Sequence, residues 1–194
     1  YLYLTVVYKA AILYPIQDSE DVSFMNIHTM QQSILDSVNA HQDDYTAASD
    51  AIWAHPQVNF HEDFAAGQLC GLLEENGFSV EKGLDGMPTA FRAQFGSGKP
   101  VIGFLGEYDA LSALSQQAGC LSKTPVEEGA PGHGCGHNLL GVGSLAAAVA
   151  VKELIASGQV SGTVVYFGCP AEETASAKAF LARDGYFAGL DAIL

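Results

Sequence analysis

Three polar clusters interrupt an otherwise apolar chain, and their residue types and spacing could do chemistry. The most specific is His133-Gly134-Cys135-Gly136-His137. In an extended backbone, residues two apart face the same side. The segment can therefore present imidazole, thiolate and imidazole together, while Gly134 and Gly136 let the backbone approach an ion and take dihedrals that other residues resist. A helix opening at Asn138 would put its positive end beside Cys135 and favour the thiolate, the form that binds metal. Sulfur with imidazole suits zinc, and less specifically manganese, iron or cobalt. The competing reading is a glycine-rich turn with a buried thiol and two histidines that cap a helix.

The second cluster is Glu172-Glu173, which follows Gly168-Cys169-Pro170-Ala171 at the end of an apolar run. Adjacent carboxylates point in different directions, so one can ligate while the other faces a metal-activated water and takes its proton. Taken alone, such a pair equally describes a solvated loop or the first turn of a helix. The third cluster, Glu107-Tyr108-Asp109, carries the same ambiguity, and Asp109 could orient a ligating histidine from behind. Other candidates fail. Gly96-Ser97-Gly98-Lys99-Pro100 lacks the spacing and the following Ser or Thr of a phosphate loop. Ser144 and Ser176 have no nucleophile-elbow setting. His28, His41, His55 and His61 fall in or near early helices as surface or structural residues. Cys70 reads as core, and Cys120 lies in a loop with no visible partner.

Elements that could position these clusters are legible in the pattern. Apolar residues from Ile34 to Trp53 recur at helical spacing until His55-Pro56, and a second helix covers His61 to Asn76 with Gly77 as its terminal cap. Strands follow at Ala90 to Phe95 and Val101 to Leu105, separated by a Gly/Pro turn. A long polar connection from Glu107 to Gly136 has the length of a functional loop. A helix from Asn138 to Ala156, a buried strand from Thr163 to Phe167 and a helix from Ser176 to Asp184 complete the alternation, and Asp191 to Leu194 looks like the start of another buried strand. The expected fold is α/β, a mostly parallel central sheet with helices on both faces. In such a sheet ligands gather at the carboxyl ends of strands, where all three clusters fall.

Composition sets the outer bounds. The chain has 194 residues, 48% of them hydrophobic and 15% charged, which fits a globular domain. Its 22 acidic against 8 basic residues give a net charge of −14, which disfavours nucleic acid and anionic membrane as partners. Four cysteines form no CxxC pair, and the expectation is a cytoplasmic protein with reduced thiols. Residues 1–25 stand apart: the apolar run Tyr1 to Ile16 is short for a membrane span and lacks the basic start of a signal peptide.

The stretches Gly106-Glu107-Tyr108-Asp109-Ala110-Leu111, Pro131 to Gly141 and Tyr166 to Glu173 together resemble the aminoacylase and carboxypeptidase family of two-metal peptidases. Within it they are similar to the amidohydrolase branch, in particular the group that acts on aminobenzoyl-glutamate. Ile52 to Pro56 with Phe60-His61-Glu62 resembles that branch's early helix, and the likeness runs from about residue 30 to 194. The resemblance implies the fold of a phosphorylase/hydrolase-like zinc-peptidase catalytic domain, of which residues 26–194 would be the amino-terminal part, without the lid or dimerisation domain. It implies two divalent ions, zinc or manganese, that serve hydrolysis of the amide bond in an N-acyl amino acid such as aminobenzoyl-glutamate, or in a dipeptide-like substrate. Cys135 would be shared by the metals and His137 and Glu173 would each ligate. Glu172 would be the base, with Asp109 beside it in the catalytic machinery. Asp109 and His133 would support the ligands from behind, and Glu107 is grouped with them, although it stands where many members carry a ligating histidine. Asn138 replaces the branch's usual aspartate, and Thr174-Ala175-Ser176-Ala177 stands where glycines are usual. Family ligands beyond the strand at Asp191 lie outside the sequence, so the alternative is a non-catalytic fragment that keeps a partial metal site. A homo-oligomer or a partner subunit is implied as well.

Overall fold

The computed structural model describes residues 27–194; the distinct leading segment expected at residues 1–25 lies outside them. The helical run from Ile34 to Trp53 divides into α1 (Ile27–Ala40) and α2 (Gln42–Ala54). Asp43 and Asp44 in the first turn of α2 suit the positive end of a new helix, and this explains a break that apolar spacing alone does not signal. After α3 (Asp63–Glu75), Gly77 takes φ +81 and the Phe78 N–H reaches back to the Leu73 carbonyl at 3.0 Å, closing the helix as expected.

The sheet contains β1 (Ser79–Lys82), β2 (Phe91–Ser97), β3 (Val101–Glu107), β4 (Gly162–Cys169) and β5 (Ala192–Ile193), in the spatial order β1-β2-β4-β3-β5. β1 is not legible in sequence, because an edge strand reading Ser-Val-Glu-Lys buries little and needs no apolar alternation. The sheet is mixed: β3 is parallel to β4 and β5, while β2 is antiparallel to both its neighbours. The reversal at β2 follows from chain length. Only Gly98-Lys99-Pro100 separate β2 from β3, whereas a parallel crossover needs about a dozen residues or more.

β4 is buried along its whole length, which accounts for its unbroken apolar sequence. Its alternate residues serve two cores. Val164 and Tyr166 face α1–α3 and the helix α4 (His137–Ala156), with Ile52, Leu69, Leu73 and Leu145 fully buried there. Val165 and Phe167 face the other side, against Leu84, Met87 and Leu181 of the short helix α5 (Ala177–Arg183). Helices therefore cover both faces. α4 is long and apolar enough by composition to cross a membrane, but it packs against β3, β4 and α1–α3, and this explains its apolar surface.

Close packing makes one glycine decisive. A Cβ at Gly106 would overlap the ring and hydroxyl of Tyr166, a fully buried side chain whose Oη donates to the Gly141 carbonyl at 3.1 Å. Gly106→Ala is expected to destabilise the chain by about 1–3 kcal/mol, the usual cost of overpacking. Urea unfolding would show a lower midpoint at an unchanged slope; an unchanged midpoint would contradict this packing.

Candidate metal centre

Parallel pairing sets the position of the site. Glu107, the last residue of β3, lies in register with Cys169, the last residue of β4, so the segments after both strands emerge at one edge. After β3, the buried Tyr108 donates its hydroxyl to the Thr89 carbonyl at 2.6 Å, and Asp109 follows at 2% exposure. The long loop then returns to the same edge. Leu111 and Gly132 exchange backbone hydrogen bonds of 3.1 and 3.0 Å, and a Cβ at Gly132 would strike the Leu114 carbonyl. Gly136 takes φ +78, which glycine adopts without strain, and His137 opens α4. Asn138 ties this helix start to α2 by donating to Ser49 Oγ at 3.0 Å.

His137 is the hub, at 2% exposure. Its Nδ1 lies 2.9 Å from Asp109 Oδ1, and Asp109 Oδ2 accepts the Glu173 backbone N–H at 3.0 Å. Its Nε2 faces Glu107 Oε2 at 3.1 Å, Glu173 Oε1 at 3.7 Å and Glu172 Oε2 at 3.9 Å. Burial works against the charged imidazole, but Asp109, Glu107 and Glu173 outweigh it and hold its pKa above the ordinary histidine value. Asp109 shows the converse: burial opposes its charge, yet the bond to His137 and the Glu173 N–H pull its pKa below the usual range.

At Cys135 the surrounding carboxylates act against a thiolate. The neighbouring Glu173 carboxylate pushes its thiol up, ahead of burial and the charges of Glu172 and Glu107. These carboxylates oppose the thiolate that a helix start favours, and a divalent cation beside them would favour it.

The side chains present fit such a cation. Cys135, His137 and Glu173 form one three-donor group and Glu107, His137 and Glu172 another, with the ligand atoms of each within 4.8 Å of one another. Glu173 Oε1 is buried with no hydrogen-bond partner. A carboxylate oxygen left in that state is costly unless a cation completes it.

His133 is not brought into this group. Its Nε2 meets the Ile52 carbonyl at 3.2 Å, because the backbone from His133 turns, with Gly136 N–H returning to the His133 carbonyl at 3.3 Å, instead of running extended. Burial lowers the His133 pKa and favours the neutral ring. One participant is not evident from sequence: Lys178, on α5, pairs its ammonium with Glu107 Oε1. Its only sequence signal is a rare cation in an acidic chain soon after the glutamate pair.

Residues 103–194 match the family described as Peptidase family M20/M25/M40. The chain is 50% identical over 161 residues to one subunit of the p-aminobenzoyl-glutamate hydrolase of Escherichia coli (strain K12), covering 83% of this chain and 34% of that protein. It is 32% identical over 160 residues to the Xaa-Arg dipeptidase of Mus musculus, covering 76% of this chain and 33% of that protein. The chain thus spans about a third of the length of these curated relatives. Among solved structures, a dinuclear metal binding peptidase of the M20 family from Bacillus subtilis superposes with a TM-score of 0.57 at 23% identity, covering 78% of this chain and 42% of that one. At that identity the likeness speaks for the fold.

Proposed function

We propose that this chain, whose residues 103–194 match peptidase family M20/M25/M40, is a member of that family and carries part of a two-metal amidohydrolase centre. The substrate would be the amide bond of an N-acyl amino acid such as aminobenzoyl-glutamate, or of a dipeptide-like molecule. The observation that carries this reading is the buried, unpartnered Glu173 Oε1 among two groups of donor atoms that share His137. The names of the relatives supply the reaction class and the substrate range.

Cys135, His137 and Glu173 would hold one ion, and Glu107 lies where it could help hold a second, with Glu172 beside it as the base. Mixed sulfur, nitrogen and oxygen donors suit zinc, and the carboxylates also suit manganese. Bound there, a divalent cation polarises a substrate carbonyl and acidifies water. This chain's residues do the rest. Asp109 fixes the His137 tautomer through Nδ1 and leaves Nε2 directed at the donors. Glu172, at 34% side-chain exposure the more open of the pair, can take a proton from water and return it to the leaving amine. Lys178 offsets the charge of Glu107. A partner subunit or a second copy fits a relative that is itself named as one subunit of a hydrolase. A reducing, cytoplasmic setting is in keeping with four free cysteines.

A second reading is a metal-binding fragment without turnover, since the two donor groups could hold an ion whether or not an amide is hydrolysed. Elemental analysis of the purified chain, followed by an assay for aminobenzoyl-glutamate hydrolysis, separates the two. About one or two ions per chain with hydrolysis supports the enzyme. Metal without hydrolysis selects the fragment, and a folded chain that binds no zinc or manganese overturns both.

A further inference from the structure

We propose that Glu62 is a positioning residue whose buried carboxylate holds the turn that aims Glu172 and Glu173 into the metal centre. In its metal-binding consequence, the proposal rests on the reading above.

Glu62 immediately precedes α3 and is 0% exposed. Its Oε1 accepts the Phe60 N–H at 3.1 Å and the Ala171 N–H at 3.2 Å, and its Oε2 accepts the Thr89 hydroxyl at 3.1 Å. Burial pushes its pKa up, while these three donors act in the opposite direction. A buried carboxylate is an expensive way to fill space, so its value must lie in what it fixes.

What it fixes is the start of an unusual turn. Ala171 has φ +51, in the left-handed region that a Cβ disfavours, and Ser176 has φ +54. The Ala171 carbonyl accepts the N–H groups of Thr174, Ala175 and Ser176 at 3.4, 3.0 and 2.7 Å, so this one peptide organises the turn that carries both glutamates. No glycine lies between Ala171 and Ser176 to adopt these dihedrals freely. The turn is instead gripped from two sides by buried carboxylates: Glu62 on the Ala171 N–H and Asp109 on the Glu173 N–H. The grip continues inward, because Thr89, which donates its hydroxyl to Glu62, accepts at its carbonyl the hydroxyl of Tyr108, the residue before Asp109. One buried chain of hydrogen bonds thereby links the loop after β3 to the loop after β4.

The test compares the parent chain with Glu62→Leu, Glu62→Gln and Thr89→Val. Gln keeps an acceptor for Phe60 and Ala171, and its amide can donate to the Thr89 oxygen; Leu keeps the bulk alone. The first readout is hydrogen exchange of residues 170–177 relative to 163–168 of β4. The second is Co²⁺ titration followed by the thiolate charge-transfer absorption that a Cys135 ligand would give. In Glu62→Leu, exchange at 170–177 should rise by about tenfold with β4 unchanged. Co²⁺ affinity should fall by about 10–100-fold, the usual effect of losing a group that orients ligands. Gln should restore both readouts to within a few-fold of the parent. A folded Glu62→Leu whose turn exchanges at the parent rate, or a Gln variant as loose as Leu, overturns the proposal. If Glu62→Leu does not fold, Thr89→Val decides: faster exchange at 170–177 supports the clamp and an unchanged rate refutes it. If the parent binds no Co²⁺, the metal reading fails while the exchange comparison still judges Glu62.

Discussion

His137→Ala is expected to remove metal binding from the chain almost completely. His137 belongs to both donor groups, and Asp109 occupies its Nδ1, so Nε2 is the one nitrogen it can offer. Structural zinc sites bind with about 10–16 kcal/mol, which is about 3 kcal/mol for each of four ligands. Loss of one ligand then weakens binding by at least about a hundredfold, and loss of a ligand common to both groups costs more. Asp109→Asn supplies the comparison. It keeps a side-chain oxygen for either the His137 N–H or the Glu173 N–H but removes the charge that supports the imidazole, and about 10–100-fold weaker binding is expected. Calorimetric titration of the purified chain with Zn²⁺ checks both, with circular dichroism to establish that each variant is folded. Equal affinity of His137→Ala and the parent would mean that the metal reading has the wrong centre.

The ordering of effects at this site also explains what could be read in the sequence and what could not. His133-Gly134-Cys135-Gly136-His137 advertised itself by residue type, and the structure groups Cys135 and His137 with Glu173. The alternation rule failed for His133 because it assumes an extended strand, whereas the backbone there turns at Gly136. The carboxylates that act against a thiolate at Cys135 were not legible beside it, because Glu107, Glu172 and Glu173 arrive from segments distant in sequence. β4 was legible because complete burial writes itself as an unbroken apolar run, and α4 because most of its residues are apolar and many of them pack into the core, while β1 was not because an edge strand buries little. The direction of β2 was available in principle from the three-residue link to β3, but the link does not say that β4 will insert between them. Glu62 and Lys178 lie beyond such reasoning. A single Glu or Lys in sequence carries no sign of a partner 109 or 71 residues away.

Glu172→Gln should separate turnover from metal binding. The two adjacent glutamates differ in setting. Glu173 has its backbone held by Asp109 and an orphaned, buried Oε1 directed toward the donors, so Glu173→Gln should weaken metal binding. Glu172 is more open and its Oε2 lies 3.9 Å from His137 Nε2, close enough to the donor atoms to reach a water beside them and open enough to meet a substrate. Gln preserves its size and one oxygen but cannot accept a proton at neutral pH. Positioned general bases contribute about 10²–10⁴-fold, so hydrolysis of aminobenzoyl-glutamate should fall by that order while metal content is unchanged. The measurement is steady-state turnover beside elemental analysis for the parent chain and both variants. Where the parent chain turns over substrate, full activity in Glu172→Gln would remove Glu172 as the base. The reverse pattern, metal lost in Glu172→Gln and kept in Glu173→Gln, would exchange the two roles and make Glu107, His137 and Glu172 the primary donor group.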